Sequence, residues 1–162
     1  PFGFDTTFKG KSACDESYIK IYQNGGEGYV HRDKVTKNVD CIDKWKIFIP
    51  RAGSGSDAFP HPILGRPFIG EPGSVSSETY MFIGPFESHE QSKNVLSYIS
   101  TKLFRLLVLL HKPSQDATQA VYTFVPLQDF GQSWSDEKLT RKYGLNKAEL
   151  SFIDEMIRPM EV

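Results

Sequence analysis

The serines of the sequence lack the spacing that covalent or phosphate chemistry requires. A nucleophilic serine sits on a strained Gly-x-Ser-x-Gly elbow, whereas residues 53–56 read Gly-Ser-Gly-Ser, a pattern typical of a flexible loop. No glycine run is followed by Gly-Lys-Ser or Gly-Lys-Thr, the pattern that holds nucleotide phosphates in a P-loop. We therefore expect neither an acyl-transfer serine nor a nucleotide-binding loop.

The histidines and cysteines are also poorly spaced for a metal centre. No histidine pairs with a cysteine at zinc-finger spacing, and the histidines lie far apart in the chain, at His31, His61, His89 and His111. The two cysteines, Cys14 and Cys41, cannot build a disulfide framework and are typical of reduced thiols in a cytoplasmic protein. The sequence predicts no metal site and a cytoplasmic location.

Acidic residues leave one enzymatic alternative open. Asp40, Asp43 and Lys44 form an Asp-x-x-Asp-Lys pattern that distantly resembles the metal-binding carboxylates of nucleases. The Glu-x-Lys step usual in those enzymes is missing, and the pattern leads directly into a strand, which favours a solvated turn. A small metal-dependent nuclease using Asp40, Asp43 and Glu78 is one alternative function, and a protein-interaction module of a multi-subunit complex is another.

A cluster of small hydroxyls precedes one predicted strand. Ser74, Ser76 and Ser77 stand just before the alternating run of residues 79–83. They could form a plain turn, seat a nucleophile, or touch a polar polymer, but no elbow or partnered histidine supports the nucleophile. We expect the strand to be scaffold and the three hydroxyls to lie exposed at its lip.

Several strands must position these residues. Residues 18–22 alternate between polar and apolar, Asn24-Gly25 is typical of a type I′ turn with positive φ at both positions, and residues 28–31 resume the alternation, which predicts a hairpin. A further strand is predicted over residues 45–49, before Pro50, and residues 51–62 read as a loop rich in glycine, serine and proline.

Helices dominate the second half of the chain. Ser88, with Gln91 three residues later, predicts the start of one helix of about 24 residues, whose apolar stripe runs from Val95 to Leu110. A strand is predicted over residues 120–125, and two short helices follow at about 135–144 and 146–157. The predicted fold is α+β: a single domain with a mixed β-sheet packed around one long helix, over residues 1–130, and a small helical C-terminal tail over residues 131–162.

Composition limits the classes of function. The chain has 162 residues, of which 39% are hydrophobic and 24% charged, so it is long enough for a core and typical of globular proteins. Its net charge of −1 gives no overall attraction to nucleic acid or membrane, and any DNA contact must come from local basic groups. No apolar run is long enough to span a bilayer. The start Pro1-Phe2-Gly3-Phe4, without Met, leads us to expect a piece of a longer polypeptide.

A set of segments distributed over nearly the whole chain carries a family resemblance. In order they are residues 2–4, 8–11, 43–46, 69–72, 77–80, 83–86, 98–105 and 122–130, then Trp134, residues 136–137 and residues 142–145. Together they resemble the C-terminal target-recognition (DNA specificity) domain of bacterial restriction-modification N6-adenine DNA methyltransferases, including type IIG-like restriction enzymes. The motifs of that family for S-adenosylmethionine and the target adenine lie upstream of such a domain, and this chain contains none of them.

The resemblance implies a division of labour. An upstream methyltransferase domain of the same polypeptide would bind S-adenosylmethionine, and Mg²⁺ if the parent also cleaves DNA, and would accept a flipped adenine. The present chain, with no catalytic residue, cofactor or metal of its own, would bind double-stranded DNA and read base edges. The residues expected to contact DNA are Lys9, Lys11, Arg51, Ser54, Ser56, His61, Arg66, Ser74, Ser76, Ser77, Gln115 and Gln119.

Overall fold

The computed structural model describes residues 1–12, 15–53, 58–111 and 119–161. The chain divides into two compact units, one made of Pro1–Arg51 and Phe68–Ser92, the other of Ala52–Pro67 and Lys93–Val162. Within the described residues, the first unit contains two small β-sheets and the second is helical. The predicted α+β class is confirmed.

The first sheet of the first unit is built on the predicted hairpin. Strand β1 (Tyr18–Gln23) pairs antiparallel with β2 (Gly26–His31), and the short strand β5 (Ser74–Ser76) lies parallel to β1 on its other side. Alternate residues of β1, Ile19 and Ile21, point into the core. In the turn, φ is positive at Gly25 (+88°) but not at Asn24, so the type I′ turn predicted here is wrong.

The second sheet is antiparallel and has the most buried strand at its centre. Strand β3 (Trp45–Pro50) lies between β4 (Phe68–Gly70) and β6 (Tyr80–Phe86). The predicted strands over residues 45–49 and 79–83 correspond to β3 and β6. Ile47, Phe48 and Ile49 of β3 are completely buried, and because successive side chains point to opposite faces, both faces of this strand are covered.

Aromatic side chains form much of the core of the first unit. Phe2 stacks on Phe82 with ring centroids 5.0 Å apart and meets Phe48 edge-on at 6.4 Å. Tyr22 and Phe68, whose centroids are 4.8 Å apart, pack against the same core. Each aromatic side chain removed from water stabilises the unit by about 1.5–3 kcal/mol. The segment that contains Phe2 and Phe4 therefore belongs to the core of the first unit.

The predicted long helix is two helices. Helix α1 (His89–Ile99) ends two residues before helix α2 (Lys102–Leu110) begins. Thr101 has extended backbone, with φ −66° and ψ 151°, and its hydroxyl accepts a hydrogen bond from the amide of Phe104 at 3.2 Å. A single helix over residues 88–111 was wrong because Thr101 acts as an N-cap inside an otherwise continuous apolar stripe.

Residues 120–125 do not form the predicted strand. Gln119–Tyr122 is a short 3₁₀ helix, and the turns after it are closed by local hydrogen bonds, from Thr123 N to the Ala120 carbonyl (3.3 Å) and from Val125 N to the Tyr122 carbonyl (3.1 Å). Only Val121 of the segment is fully buried. Among the described residues no strand pairs with this β-branched and aromatic segment, and local hydrogen bonds satisfy its backbone instead.

The helical C-terminal tail is present as predicted. Helix α3 (Asp136–Tyr143) is capped by Ser135 and ends at Gly144, whose φ is +65°. Helix α4 (Lys147–Met156) begins with the predicted capping box: the Glu149 amide donates to Asn146 Oδ1 at 3.0 Å, and the Asn146 amide to Glu149 Oε2 at 2.8 Å. None of the helices in the described part of the chain has the length and apolar character needed to cross a membrane.

Candidate nucleic-acid interface

The three serines before β6 are interior residues. Ser74, Ser76 and Ser77 are each 0% exposed. The Ser74 hydroxyl donates to the carbonyl of Glu71, and the Ser77 hydroxyl to Thr79 Oγ1 at 3.0 Å. Because β5 pairs with β1, these serines lie in the interior of the unit and not at an exposed end of a strand. The exposed position predicted for these hydroxyls is wrong, and we exclude all three from the candidate interface.

Lys9 and Lys11 lie exposed beside the β1–β2 hairpin. The backbone of Lys11 pairs with Tyr29 of β2 through two hydrogen bonds of 2.8 and 2.9 Å, and Lys9 Nζ donates to the Asn24 carbonyl in the hairpin turn. A Cβ on the intervening Gly10 would lie 2.7 Å from the amide nitrogen of Tyr29. Glycine therefore lets this segment lie flat on the hairpin, and both lysines project from it.

Five other cations of the described residues are paired with carboxylates. Arg51 Nη1 lies 3.0 Å from Glu78 Oε2, and the Arg51 amide donates to the Thr79 carbonyl at 3.0 Å, so this arginine is held at the end of β3. Similar pairs join Lys20 to Glu71, Arg32 to Asp43, Lys44 to Glu87 and Lys102 to Asp154. Across residues 1–12, 15–53, 58–111 and 119–161, no ion pair engages Lys9, Lys11 or Arg66.

The second unit contributes a loop that carries His61 and Arg66. Arg66 is exposed, whereas His61 is half-buried and its Nδ1 accepts the amide hydrogen of Ile63 at 2.8 Å. The backbone of His61 pairs with the end of the chain, donating to the Met156 carbonyl at 3.0 Å and accepting from the Arg158 amide at 3.1 Å. Ile63 is buried and has φ +68°, a value that β-branched residues rarely adopt.

Four predicted DNA contacts remain, of which one is an exposed glutamine and three lie outside the residues that the structure describes. Gln119 is exposed at the start of the 3₁₀ helix. Ser54, Ser56 and Gln115 lie outside the described residues. The candidate residues that remain are Lys9 and Lys11 within the first unit and, taken separately, His61, Arg66 and Gln119 within the second.

Two carboxylates of the nuclease alternative, those of Asp43 and Glu78, are paired with arginines. Both oxygens of Asp43 accept hydrogen bonds from the guanidinium of Arg32, which lowers the pKa of Asp43. Glu78 is paired with Arg51. In the part of the chain that the structure describes, no three His, Cys, Asp or Glu side chains are grouped so that they could hold a metal ion.

Two fully buried cations were not predicted from the sequence. Lys46 Nζ donates to three backbone carbonyls, those of Ile42 (3.1 Å), Ser74 (3.0 Å) and Glu71 (3.4 Å), and burial lowers its pKa to about 8. Arg105 bonds four carbonyls of the second unit, and burial lowers its pKa to about 10, so it stays charged at neutral pH. The available signal was a single cation inside an apolar run, at Trp45–Ile49 and again at Leu103–Leu110.

Several of the segments that carry the family resemblance meet in the second unit. The amide of Gln128, which is 9% exposed, donates to the hydroxyls of Tyr143 (2.8 Å) and Tyr98 (3.2 Å), and its oxygen accepts from Lys142 Nζ at 2.6 Å. Lys142 Nζ also lies 4.8 Å from the ring centroid of Trp134, within cation–π range. Residues 98, 128, 134, 142 and 143 thus form one network that fixes the segment immediately before α3.

An open groove of about 440 Å³ runs between α2 and α4. Leu103 and Leu106 of α2 line one side, and Phe152 and Ile153 of α4 the other. Phe152 is 49% exposed, so an apolar surface is accessible there. The groove is the part of the second unit to which the protein-interaction alternative would apply.

The chain was also compared with known proteins. Searches against protein-family models, curated protein sequences and solved structures gave no match.

Proposed function

We propose that the chain is a sequence-specific double-stranded DNA recognition domain of a restriction-modification enzyme. It would position a target adenine for an S-adenosylmethionine-dependent methyltransferase domain of the same polypeptide, in the cytoplasm. The proposal rests on the ordered resemblance of its segments to target-recognition domains. The structural observation that supports it best is that Lys9, Lys11 and Arg66, among the described residues, are exposed and take part in no ion pair.

Lys9 and Lys11 suit phosphate contacts. Each carries a compact charge on a segment that Gly10 holds against the hairpin, and Lys9 would exchange its hydrogen bond with the Asn24 carbonyl for one with phosphate. Binding phosphate would cost these lysines no carboxylate partner, in contrast to Lys20 or Lys44, which would first have to leave Glu71 or Glu87. Phosphate contacts of this kind give affinity and register without sequence preference.

Arg66, His61 and Gln119 suit base edges. An arginine donates two parallel hydrogen bonds to guanine, and a glutamine amide pairs with adenine in the same bidentate way. The His61 side chain is already oriented by the hydrogen bond that its Nδ1 accepts from Ile63. Arg51 has a supporting role in this proposal, because its guanidinium is committed to Glu78 at the base of the loop.

The first test is salt-dependent duplex binding. Fluorescence anisotropy with a labelled random-sequence duplex at about 50–200 mM salt gives the slope of log K against log salt. We expect the slope for Lys9→Gln/Lys11→Gln to fall by about 2, since each lost phosphate contact removes about 0.9. The matched control is Lys20→Gln/Lys44→Gln, which removes the same charge from lysines already paired with carboxylates and should leave the slope nearly unchanged.

The second test is sequence preference. A duplex selected from a random pool by the unaltered chain is compared with its scrambled form, and Arg66→Ala should lose about 1–3 kcal/mol of that discrimination at one base position. Lys9→Gln should weaken both duplexes equally. Absence of any duplex affinity at low salt, or selection of no sequence from the pool, contradicts the proposed function.

A further inference from the structure

Arg105 lies at the point where three separate parts of the second unit meet. Its Nη1 donates to the Arg158 carbonyl at 2.6 Å and to the Pro62 carbonyl at 3.2 Å. Its Nη2 donates to Ser100 at 3.1 Å and its Nε to Thr101 at 3.2 Å, the carbonyls at the break between α1 and α2. One guanidinium, 0% exposed, therefore joins the helix break, the loop of His61 and Arg66, and the end of the chain.

The same loop and chain end are also paired through their backbones. The His61 amide donates to the Met156 carbonyl at 3.0 Å, the Arg158 amide donates to the His61 carbonyl at 3.1 Å, and His61 lies parallel to Ile157 as in a two-stranded ladder. Ile157 is completely buried. Residues 156–158 thus hold the loop through backbone hydrogen bonds, and we call this segment the backing of the loop.

The loop needs this backing because its backbone is strained. The Leu64 amide donates to the Pro62 carbonyl at 2.8 Å across Ile63, whose φ is +68°. A hydrogen bond between residues i and i+2 together with a positive φ defines the rare, strained form of the γ-turn. Such conformations persist only where surrounding structure holds them, and they occur preferentially at functional sites. The carbonyl that closes this turn is also an acceptor for Arg105.

We propose that Arg105 and residues 156–158 are positioning elements that hold the loop of His61 and Arg66 in the conformation that reads DNA bases. The inference rests on the proposed function. Arg105 acts through the loop, because its four hydrogen bonds go to backbone carbonyls and its guanidinium is not exposed to solvent. Preorganising the loop lowers the conformational cost of binding, so the backing contributes to specific affinity without touching DNA.

The most selective variant is Arg158→Pro. It removes the amide that donates to His61, and Ile157 before it already has the extended backbone, φ −121° and ψ 118°, that a following proline requires. Arg158→Ala is the matched control, since it removes the exposed side chain and keeps the amide. Arg105→Lys is a second probe, because an ammonium keeps the charge but cannot join all four carbonyls in the fixed geometry of a guanidinium.

Two readouts are measured on each variant. Hydrogen exchange of the His61 and Leu64 amides reports the loop independently of DNA, and we expect it to be about tenfold faster in Arg158→Pro and unchanged in Arg158→Ala. The affinity for the selected duplex should fall about fivefold to tenfold in Arg158→Pro, matching the loss of one hydrogen bond. The affinity for the scrambled duplex and the salt slope should not change, since Lys9 and Lys11 are untouched; Arg105→Lys should show the same pattern.

The outcomes separate this inference from the function on which it rests. Unchanged exchange in Arg158→Pro refutes the backing, and faster exchange with unchanged preference for the selected duplex refutes the positioning role. An equal loss of affinity for both duplexes also contradicts it, because a general loss of structure would have that effect. If the unaltered chain binds no duplex, the proposed function itself fails, whatever the exchange data show.

Discussion

The buried Lys46 should give the first unit an unusual pH dependence. Its ammonium is 0% exposed and bonded to three carbonyls, with no carboxylate within ion-pair distance among the described residues. Burial lowers the pKa of Lys46 from its ordinary value of 10.5 to about 8. Between these two values the unfolded chain binds the proton that the folded chain has released, so the free energy of unfolding rises with pH over that window.

The size of the effect follows from the two pKa values. At pH 7 the lysine is protonated in both states and the linkage is almost zero, whereas at pH 9 the folded state has lost most of its proton and the unfolded state has not. The expected gain in the free energy of unfolding between about pH 7 and pH 9 is about 1.4 kcal/mol. Lys46→Met cannot titrate and should lack this gain, whatever its stability at pH 7.

Urea unfolding monitored by the fluorescence of Trp45 measures the stability of the first unit, which contains Lys46. Trp45 precedes Lys46 in β3, and a Trp134→Phe background removes the tryptophan of the second unit. Lys44→Met is the matched control, because Lys44 is half-buried and paired with Glu87 at 2.6 Å. Burial raises the pKa of Cys41, which acts in the opposite direction above about pH 9, but this thiol is common to all variants. Parallel pH profiles for the unaltered chain and Lys46→Met refute the reasoning.

Two further substitutions test the polar interior. Ser76→Ala should stabilise the first unit by about 1 kcal/mol, because the buried Ser76 hydroxyl has no hydrogen-bond partner among the described residues. Ser74→Ala should instead cost about 0.5–1.5 kcal/mol, because it removes a hydrogen bond to the Glu71 carbonyl. Equal effects of the two substitutions in urea unfolding would contradict the assignment. Asp136→Ala should destabilise the second unit by about 1–3 kcal/mol, because Asp136 Oδ1 accepts hydrogen bonds from the amides of Lys102 (2.8 Å) and Leu103 (3.3 Å). Asp136→Asn keeps an acceptor and should cost less. Thermal unfolding followed by circular dichroism measures both variants, and a larger loss for Asp136→Asn would contradict the role of Asp136 as an acceptor at the start of α2.

Features that depend on a few neighbouring residues were predictable. The β1–β2 hairpin follows from alternation around Asn24-Gly25, and the start of α4 follows from the reciprocal bonds of Asn146 and Glu149, three residues apart. The α+β class follows from where these local signals occur along the chain. In each case the atoms that make the structure stay within a few positions of one another, so the sequence window contains the whole cause.

Features that depend on distant partners were not predictable in this way. At the start of α2 the Lys102 amide donates to Asp136, 34 residues further along the chain, and Arg105 donates to the Arg158 carbonyl, 53 residues further on. An apolar stripe at helical spacing is equally compatible with one helix or two. The packing of α2 near α3 and α4 supplies further hydrogen-bond partners which, together with Thr101, satisfy backbone groups at the break between the two helices.

The candidate site shows the same division. The sequence alone identified Lys9, Lys11 and Arg66 as cations on loops and placed Ser77 at the start of a strand. The tertiary structure decided that the first three are exposed and unpaired among the described residues, while Ser74, Ser76 and Ser77 are buried. The physical reason is that residue type fixes what a side chain can bond, whereas burial is a property of the elements around it: β5 pairs with β1 across more than fifty positions of sequence, and no local pattern records that pairing.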